Sequence, residues 1–128
     1  MSSPATTLLL FVEDEVLIQD LVETILKDGG FDVETVLTGA EAFETLGLRA
    51  AEFAAVITDV NLPAGPDGWE VGRRARELVS DMPVIYVTGD SAHEWSSKGV
   101  PDSIILSKPF APAQLVVAVA SLLNAVHP

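Results

Sequence analysis

Residues 8–15 read LLLFVEDE, and this stretch indicates both the fold class and the place where chemistry is to be sought. Its first five residues, Leu8–Val12, form an unbroken apolar run of strand length. A strand that is apolar on both sides is typical of a parallel sheet covered by helices on both faces. Because the run ends in three acids, the sequence predicts a buried strand with a cluster of negative charge at its carboxyl end.

The alternation of short apolar runs with longer helical patterns continues along the chain. Apolar residues repeat at intervals of three and four between residues 15 and 27, which predicts a helix that Gly29-Gly30 ends. Ser91 and Glu94 are predicted to form a capping box at the start of a short fourth helix. Strands that alternate with helices are typical of an α/β domain with a parallel sheet and crossover helices. The further predicted strands are 31–36, 53–58, 82–87 and 103–106, and the further helices begin near residues 38, 69, 91 and 112.

The composition indicates one globular domain and excludes several kinds of site. The 128 residues, 48% of them hydrophobic, suffice for one buried core, and the absence of cysteine excludes disulfides, thiolate metal sites and a cysteine nucleophile. With 19 acidic against 7 basic residues the net charge is −12, so direct nucleic-acid binding is not expected. No apolar run approaches the roughly 20 residues that span a bilayer, and no signal peptide is recognised. We therefore expect a cytoplasmic protein without membrane contact.

Polar residues that can perform chemistry follow the predicted strands at their carboxyl ends. Glu13 and Asp14 follow the first strand, and Asp59 follows the third. Thr88 follows the fourth strand and Lys108 the fifth. In a doubly wound sheet with strand order 2-1-3-4-5, the first and third strands are neighbours, and ligands bind in the crevice at their ends. The three acids would share this crevice, where their mutual repulsion requires a cation.

A magnesium ion and a lysine would together supply that positive charge. Mg²⁺ prefers one or two carboxylates together with water and phosphate oxygens. The ammonium of Lys108 is a point charge suited to a phosphate oxygen, and Thr88 adds a hydroxyl donor. These groups predict a site that transfers a phosphoryl group onto a carboxylate. Asp59 is the predicted nucleophile because it is a single acid at the centre of the crevice, whereas Glu13 and Asp14 form a pair suited to the metal.

Four segments, in this order along the chain, resemble the motifs of the receiver domains of two-component response regulators. They are residues 11–15 with the acidic pair, 57–63 around Asp59, 87–89 around Thr88, and 107–110 around Lys108. The resemblance covers the whole chain. It implies a flavodoxin-like, doubly wound α/β fold with a five-stranded parallel sheet in the order 2-1-3-4-5 and five helices.

The resemblance also implies a role for each residue of the site. Asp59 would accept phosphate from a histidine kinase or a phosphotransfer protein, and Thr88 and Lys108 would hold the phosphoryl oxygens. The ligands of Mg²⁺ would be Asp14, Asp59 and the main-chain carbonyl of Asn61, with Glu13 acting through water. Such a protein catalyses its own modification and is not a turnover enzyme.

The resemblance further implies that output passes through partner proteins. We expect residues 1–128 to be one receiver domain with a core at about 7–125 and no effector domain, as in stand-alone receivers of bacterial kinase systems. Ile18 resembles the position at which receivers dock the helices of their kinase. In the last helix, Val116, Val117 and Ala120 extend the apolar character beyond one stripe, which predicts either a homodimer or output contact or a broad core face.

One departure from the family pattern leaves alternatives open. Family members usually carry an aromatic residue three positions before the lysine, and this chain has Ile105, which has no ring to rotate. A phosphate sink or relay intermediate without conformational output is therefore the first alternative. A haloacid-dehalogenase-like hydrolase with an aspartate nucleophile is the weaker one, because it needs an acid two residues after the nucleophile, where this chain has Asn61. Asn61 and Asp90 lie at positions that tune the acyl-phosphate lifetime in the family.

Overall fold

Strands and helices alternate along residues 7–126, which the computed structural model describes, with side chains as far as residue 124. The strands are β1 Leu8–Val12, β2 Asp32–Val36, β3 Ala55–Asp59, β4 Val84–Thr88 and β5 Ile104–Ser107. The helices are α1 Val16–Asp28, α2 Gly39–Arg49, α3 Gly68–Leu78, α4 Trp95–Lys98 and α5 Pro112–Val126. Short 3-10 turns at Ala50–Glu52 and Ala92–Glu94 precede β3 and α4. Within the described part of the chain, no helix combines the length and the apolar character needed to cross a membrane.

The five strands form one parallel sheet in the order β2-β1-β3-β4-β5. Val12 of β1 is paired with Thr58 of β3, and Asp59 of β3 is paired with Val87 of β4. The chain order therefore reverses between β1 and β3, which is the point where doubly wound folds bind ligands. This arrangement confirms the flavodoxin-like doubly wound fold and the predicted strand order.

Two apolar layers cover the sheet, one on each face. Leu9 and Phe11 of β1 pack in the layer that contains α1 and α5, whereas Leu10 and Val12 pack in the layer that contains α2 and α3. Successive side chains of a strand point to opposite faces, so a strand covered on both sides must be apolar throughout. The unbroken apolar run of β1 follows directly from this double burial.

The ends of several elements differ from the predicted ones by one or two residues. Asp59 and Thr88 are the last residues of β3 and β4, where the predicted strands ended one residue earlier. The predicted capping box at Ser91 is wrong, because the Ser91 hydroxyl accepts no hydrogen bond from a backbone N–H of this segment and instead donates to the Asp90 carboxylate (3.0 Å). The bond to a charged acceptor orients the hydroxyl toward Asp90, and the α-helical part of this segment is limited to the four residues of α4.

Candidate functional site

Three carboxylates meet at the carboxyl ends of β1 and β3. One oxygen each of Glu13, Asp14 and Asp59 lies within 4.8 Å of the others. Glu13 and Asp59 are 1% and 6% exposed, and Asp14 is exposed to solvent. The proximity follows from the topology, since β1 and β3 are adjacent strands and both end at the same edge of the sheet. The structure thus places the three predicted acids in one crevice.

Lys108 lies between two of these acids. Its Nζ donates to Oε1 of Glu13 and to Oδ2 of Asp59, each at 3.2 Å. The backbone N–H of Lys108 donates to the carbonyl of Thr88 (2.8 Å), which ties the segment after β5 to the end of β4. Burial lowers the pKa of Lys108, but the negative charges of Asp59 and Glu13 outweigh burial and raise the pKa above its usual value. The lysine is therefore a permanent cation at this site.

Burial makes the ionised form of the Glu13 carboxyl less favourable. Burial raises its pKa from the ordinary value of 4.5 to about 7. The backbone N–H of Glu15, which donates to Oε2 at 3.1 Å, and the charge of Lys108 oppose this rise, whereas the charge of Asp59 adds to it. A further cation in the crevice would favour the ionised carboxylate, as nearby positive charge does in general.

An open cavity of about 310 Å³ lies above the acids. Its lining residues are Asp14, Glu15, Asp59, Asn61, Gly89, Asp90 and Lys108. A set of carboxylate oxygens beside an open, polar cavity is the environment that Mg²⁺ favours, because this ion binds few protein ligands and retains several waters. The residues present therefore fit a magnesium ion, with Asp14 and Asp59 on the cavity and Glu13 buried behind them.

Asn61 links the acidic crevice to the loop that follows β4. Its backbone N–H donates to Oδ1 of Asp59 (3.3 Å), and its side-chain amide donates to Oδ1 of Asp90 (2.9 Å). The hydroxyl of Ser91 and the amide of Asn61 lower the pKa of Asp90, so this carboxylate is ionised. The resulting bridge joins the loops after β3 and β4 across the cavity.

Thr88 is placed at the end of β4 as the sequence predicts, but it is not among the residues that line the cavity. Thr88 is fully buried, and its Oγ1 accepts hydrogen bonds from the backbone N–H groups of Asp90 (3.2 Å) and Ser91 (2.9 Å). These two bonds use the hydroxyl oxygen as an acceptor only, so the O–H of Thr88 remains available to donate to a phosphoryl oxygen. Thr88 thus holds the start of the β4–α4 loop in this structure.

One residue of the site environment was missed at the level of sequence. Gln19 of α1 is buried, and its amide donates to the carbonyls of Glu13 (3.3 Å) and Val36 (3.1 Å). The sequence did contain a signal for this residue. Gln19, Val22 and Leu26 are spaced by three and four residues, as on the buried face of a helix, and Gln19 is the one polar residue of the three. A polar residue within such a stripe indicates hydrogen-bond partners in the interior.

Comparison with known proteins identifies the family. The family model described as the response regulator receiver domain matches residues 9–120. The chain belongs to the response regulator receiver domains. A response regulator receiver protein from Sinorhizobium medicae WSM419 has a crystal structure that matches with a TM-score of 0.90 and 48% identity, covering 94% of this chain and 96% of that one.

Two further comparisons concern a curated relative and a solved structure. The response regulator receiver protein CpdR of Brucella abortus is 31% identical over 119 residues, covering 91% of this chain and 97% of its own length. The receiver domain of the sensor histidine kinase PA1611 of Pseudomonas aeruginosa matches with a TM-score of 0.80 and 24% identity, covering 94% of this chain and 99% of that one. That crystal structure has a magnesium ion coordinated in its active site cleft. The receiver spans about half the length, 48% to 56%, of several other curated relatives that it matches.

Proposed function

We propose that this receiver takes a phosphoryl group onto Asp59 in a reaction that requires Mg²⁺, with a histidine kinase or a phosphotransfer protein as donor. The observation that carries the proposal is the geometry of Asp59. Its two carboxylate oxygens have separate partners, Lys108 on Oδ2 and the backbone N–H of Asn61 on Oδ1, and the cavity opens beside them. A buried carboxylate oriented by two donors and open to a cavity is suited to act as a nucleophile.

The transfer is a displacement at phosphorus. An oxygen of Asp59 forms the new P–O bond as the P–N bond to the donor histidine breaks, and the bonding pair leaves with the imidazole nitrogen. Mg²⁺, held by Asp14, Asp59 and the Asn61 carbonyl with Glu13 through water, would neutralise charge on the phosphoryl oxygens. Lys108 would move from the carboxylates to a phosphoryl oxygen, and Thr88 would donate its hydroxyl to another. Hydrolysis of the acyl phosphate would then restore Asp59.

The chemistry is tested by incubating the chain with MgCl₂ and acetyl phosphate and measuring the intact mass. We expect one added phosphoryl group on the wild type, none on Asp59→Asn, and none without Mg²⁺. Asp81→Asn is a matched control, because Asp81 is exposed and lies outside the cavity lining. Unmodified wild type, or an Asp59→Asn variant modified as fully as the wild type, would contradict the proposal.

An apolar groove beside the cavity is the proposed docking site of the donor. The groove has a volume of about 530 Å³, and its lining residues are Ile18, Leu21, Val22, Ile25, Lys108, Pro109, Phe110 and Pro112. Lys108 also lines the acidic cavity, so the groove and the phosphoacceptor adjoin. Leu17 and Leu21 of α1 are 84% and 61% exposed, and exposed apolar patches of this kind mark protein contacts. We assign the groove to a helix of the phosphodonor, in agreement with the expectation for Ile18.

Docking and chemistry can be separated by one pair of variants. Leu21→Glu should slow phosphotransfer from an autophosphorylated histidine kinase of the source genome and leave modification by acetyl phosphate unchanged. Leu48→Glu is the matched control, since Leu48 is 78% exposed on α2, which packs on the opposite face of the sheet. Equal transfer rates for the wild type and Leu21→Glu would show that the donor does not bind in this groove.

We also propose a stand-alone role with output through a partner, supported by the match to nearly the full length of CpdR. The homodimer or output contact that the sequence predicts for α5 stays a prediction. Val117 of α5 is 61% exposed, whereas Val116 lies close to Gly29 at the end of α1. Light scattering with and without beryllofluoride tests the homodimer, and a monomer in both states would exclude it.

The phosphate sink is a second candidate that one observation favours. Ile105 is half-buried and packs against the core layer that contains Tyr86, so no ring occupies the usual aromatic position of β5. Amide chemical shifts before and after addition of beryllofluoride separate the two candidates. Shifts that spread through α4 and β5 indicate a conformational output, whereas shifts confined to the cavity lining indicate a sink.

A further inference from the structure

Gln19 is a buried amide on the inner side of α1. The side chain is 8% exposed and shares its stripe with Val22 and Leu26, which belong to the apolar layer between the sheet and α1. An amide in such a layer is unfavourable unless its donors are satisfied. The Gln19 Nε2 group donates to two backbone carbonyls, those of Glu13 (3.3 Å) and Val36 (3.1 Å).

These two carbonyls lie at the carboxyl ends of β1 and β2, where the acidic loop of residues 13–15 begins. The carbonyl of Val36 also accepts from the backbone N–H of Glu13 (3.1 Å), and the backbone N–H of Gln19 donates to the carbonyl of Glu15 (2.9 Å). Gln19 therefore holds the loop by its side chain at one end and by its main chain at the other. The start of α1 provides no substitute, because no side-chain hydrogen bond is made by Glu15 at its N-cap.

We propose that Gln19 is a positioning residue that sets the affinity of the acidic cluster for Mg²⁺. The inference rests on the proposed function, in which Asp14 binds the ion and Glu13 acts on it through water. Removal of a group that orients metal ligands without touching the ion typically weakens metal binding by 10- to 100-fold. Gln19 acts through the backbone on both acids at once, because the loop that carries them can tilt when the carbonyl of Glu13 loses this donor.

The test compares the affinity of ¹⁵N-labelled chains for MgCl₂, followed by the amide shifts of Asn61 and Gly89. Gln19→Met keeps the length of the side chain and removes both donors, and we expect a Mg²⁺ Kd about tenfold above that of the wild type. Gln114→Met is the matched control. The Gln114 side chain accepts from the N–H of Ala111 at the start of α5, so this variant loses a hydrogen bond in which none of the acids takes part, and we expect it to keep the wild-type Kd.

Thermal unfolding of each variant separates positioning from a general loss of stability. A Gln19→Met chain that is folded at the titration temperature and binds Mg²⁺ about tenfold more weakly supports the inference. Equal Kd values for the wild type and Gln19→Met overturn it. If Gln19→Met does not fold, Gln19→Leu is measured in its place, and failure of both to fold assigns Gln19 to the fold and overturns the inference. Wild type that binds no Mg²⁺ overturns the proposed function as well.

Discussion

Replacement of Glu13 by Gln will change how the stability of the receiver depends on pH. In the unfolded chain this carboxyl has its ordinary pKa of 4.5, whereas burial raises the pKa in the folded chain to about 7. Between these values the folded chain holds a proton that the unfolded chain has released. The contribution of Glu13 to stability is therefore greatest below the unfolded pKa and is lost as the pH rises through the folded pKa.

The magnitude follows from the difference of about 2.5 pH units between the two pKa values. At about 1.4 kcal/mol per unit, the whole window is worth about 3.4 kcal/mol, and about 2.5 kcal/mol of it falls between pH 5 and pH 8. Solvent screening reduces this little, because the Glu13 side chain is 1% exposed. Carboxylates outside the crevice titrate alike in the wild type and the variant, so their contributions cancel in the comparison.

The assay is urea unfolding in EDTA at pH 5 and at pH 8. The wild type should lose about 2.5 kcal/mol more than Glu13→Gln between the two pH values, and MgCl₂ should reduce the loss because a cation lowers the pKa of Glu13. Glu44→Gln, a change at an exposed glutamate of α2, should behave as the wild type does. Identical pH dependence in the wild type and Glu13→Gln would refute the role of burial at this acid.

Three further changes test the packing and the charge balance. Gly72→Ala should destabilise the fold by about 1–3 kcal/mol in urea unfolding, because a Cβ at this position of α3 collides with the hydroxyl of Tyr86. Tyr86→Phe should cost about 1–3 kcal/mol in the same measurement, because the buried N–H of Val100 loses the hydroxyl that accepts from it at 3.1 Å. Lys108→Met leaves two buried carboxylates without their shared cation. Its thermal midpoint should fall without Mg²⁺ and rise on addition of MgCl₂ by more than that of the wild type, and an equal rise would contradict this reasoning.

Most of the fold was predictable because burial on both faces leaves a continuous apolar run, as in β1. The ends of β3 and β4 were not, because Asp59 and Thr88 extend their strands by backbone pairing, with Val87 and Ser107 respectively. Hydropathy records side chains and does not record this pairing. A polar residue at the end of a strand is therefore predicted, from sequence, to belong to the following loop.

The candidate site was predictable as a set of residues but not as a set of contacts. Strand order alone brings Asp59 beside the acids after β1, and it brings Lys108 to the same edge. Which oxygen accepts from the lysine, and which way the Thr88 hydroxyl turns, depend on side-chain rotamers and loop hydrogen bonds between residues far apart in the chain. The hydrogen bonds of the Gln19 amide could not be predicted for the same reason, since its partners lie at the ends of two strands.

The two apolar layers of the sheet also give the receiver two sides that can be occupied independently. The groove beside the acidic cavity is formed by α1 and the segment before α5, on one side of the sheet. The opposite side is covered by α2 and α3, and Trp95 of α4 packs against it. A donor in the groove would contact the side of α1 and α5 and leave the outer faces of α2 and α3 accessible. An output protein that bound α2 or α3 would not compete with such a donor, whereas one that bound α5 would share its side of the sheet.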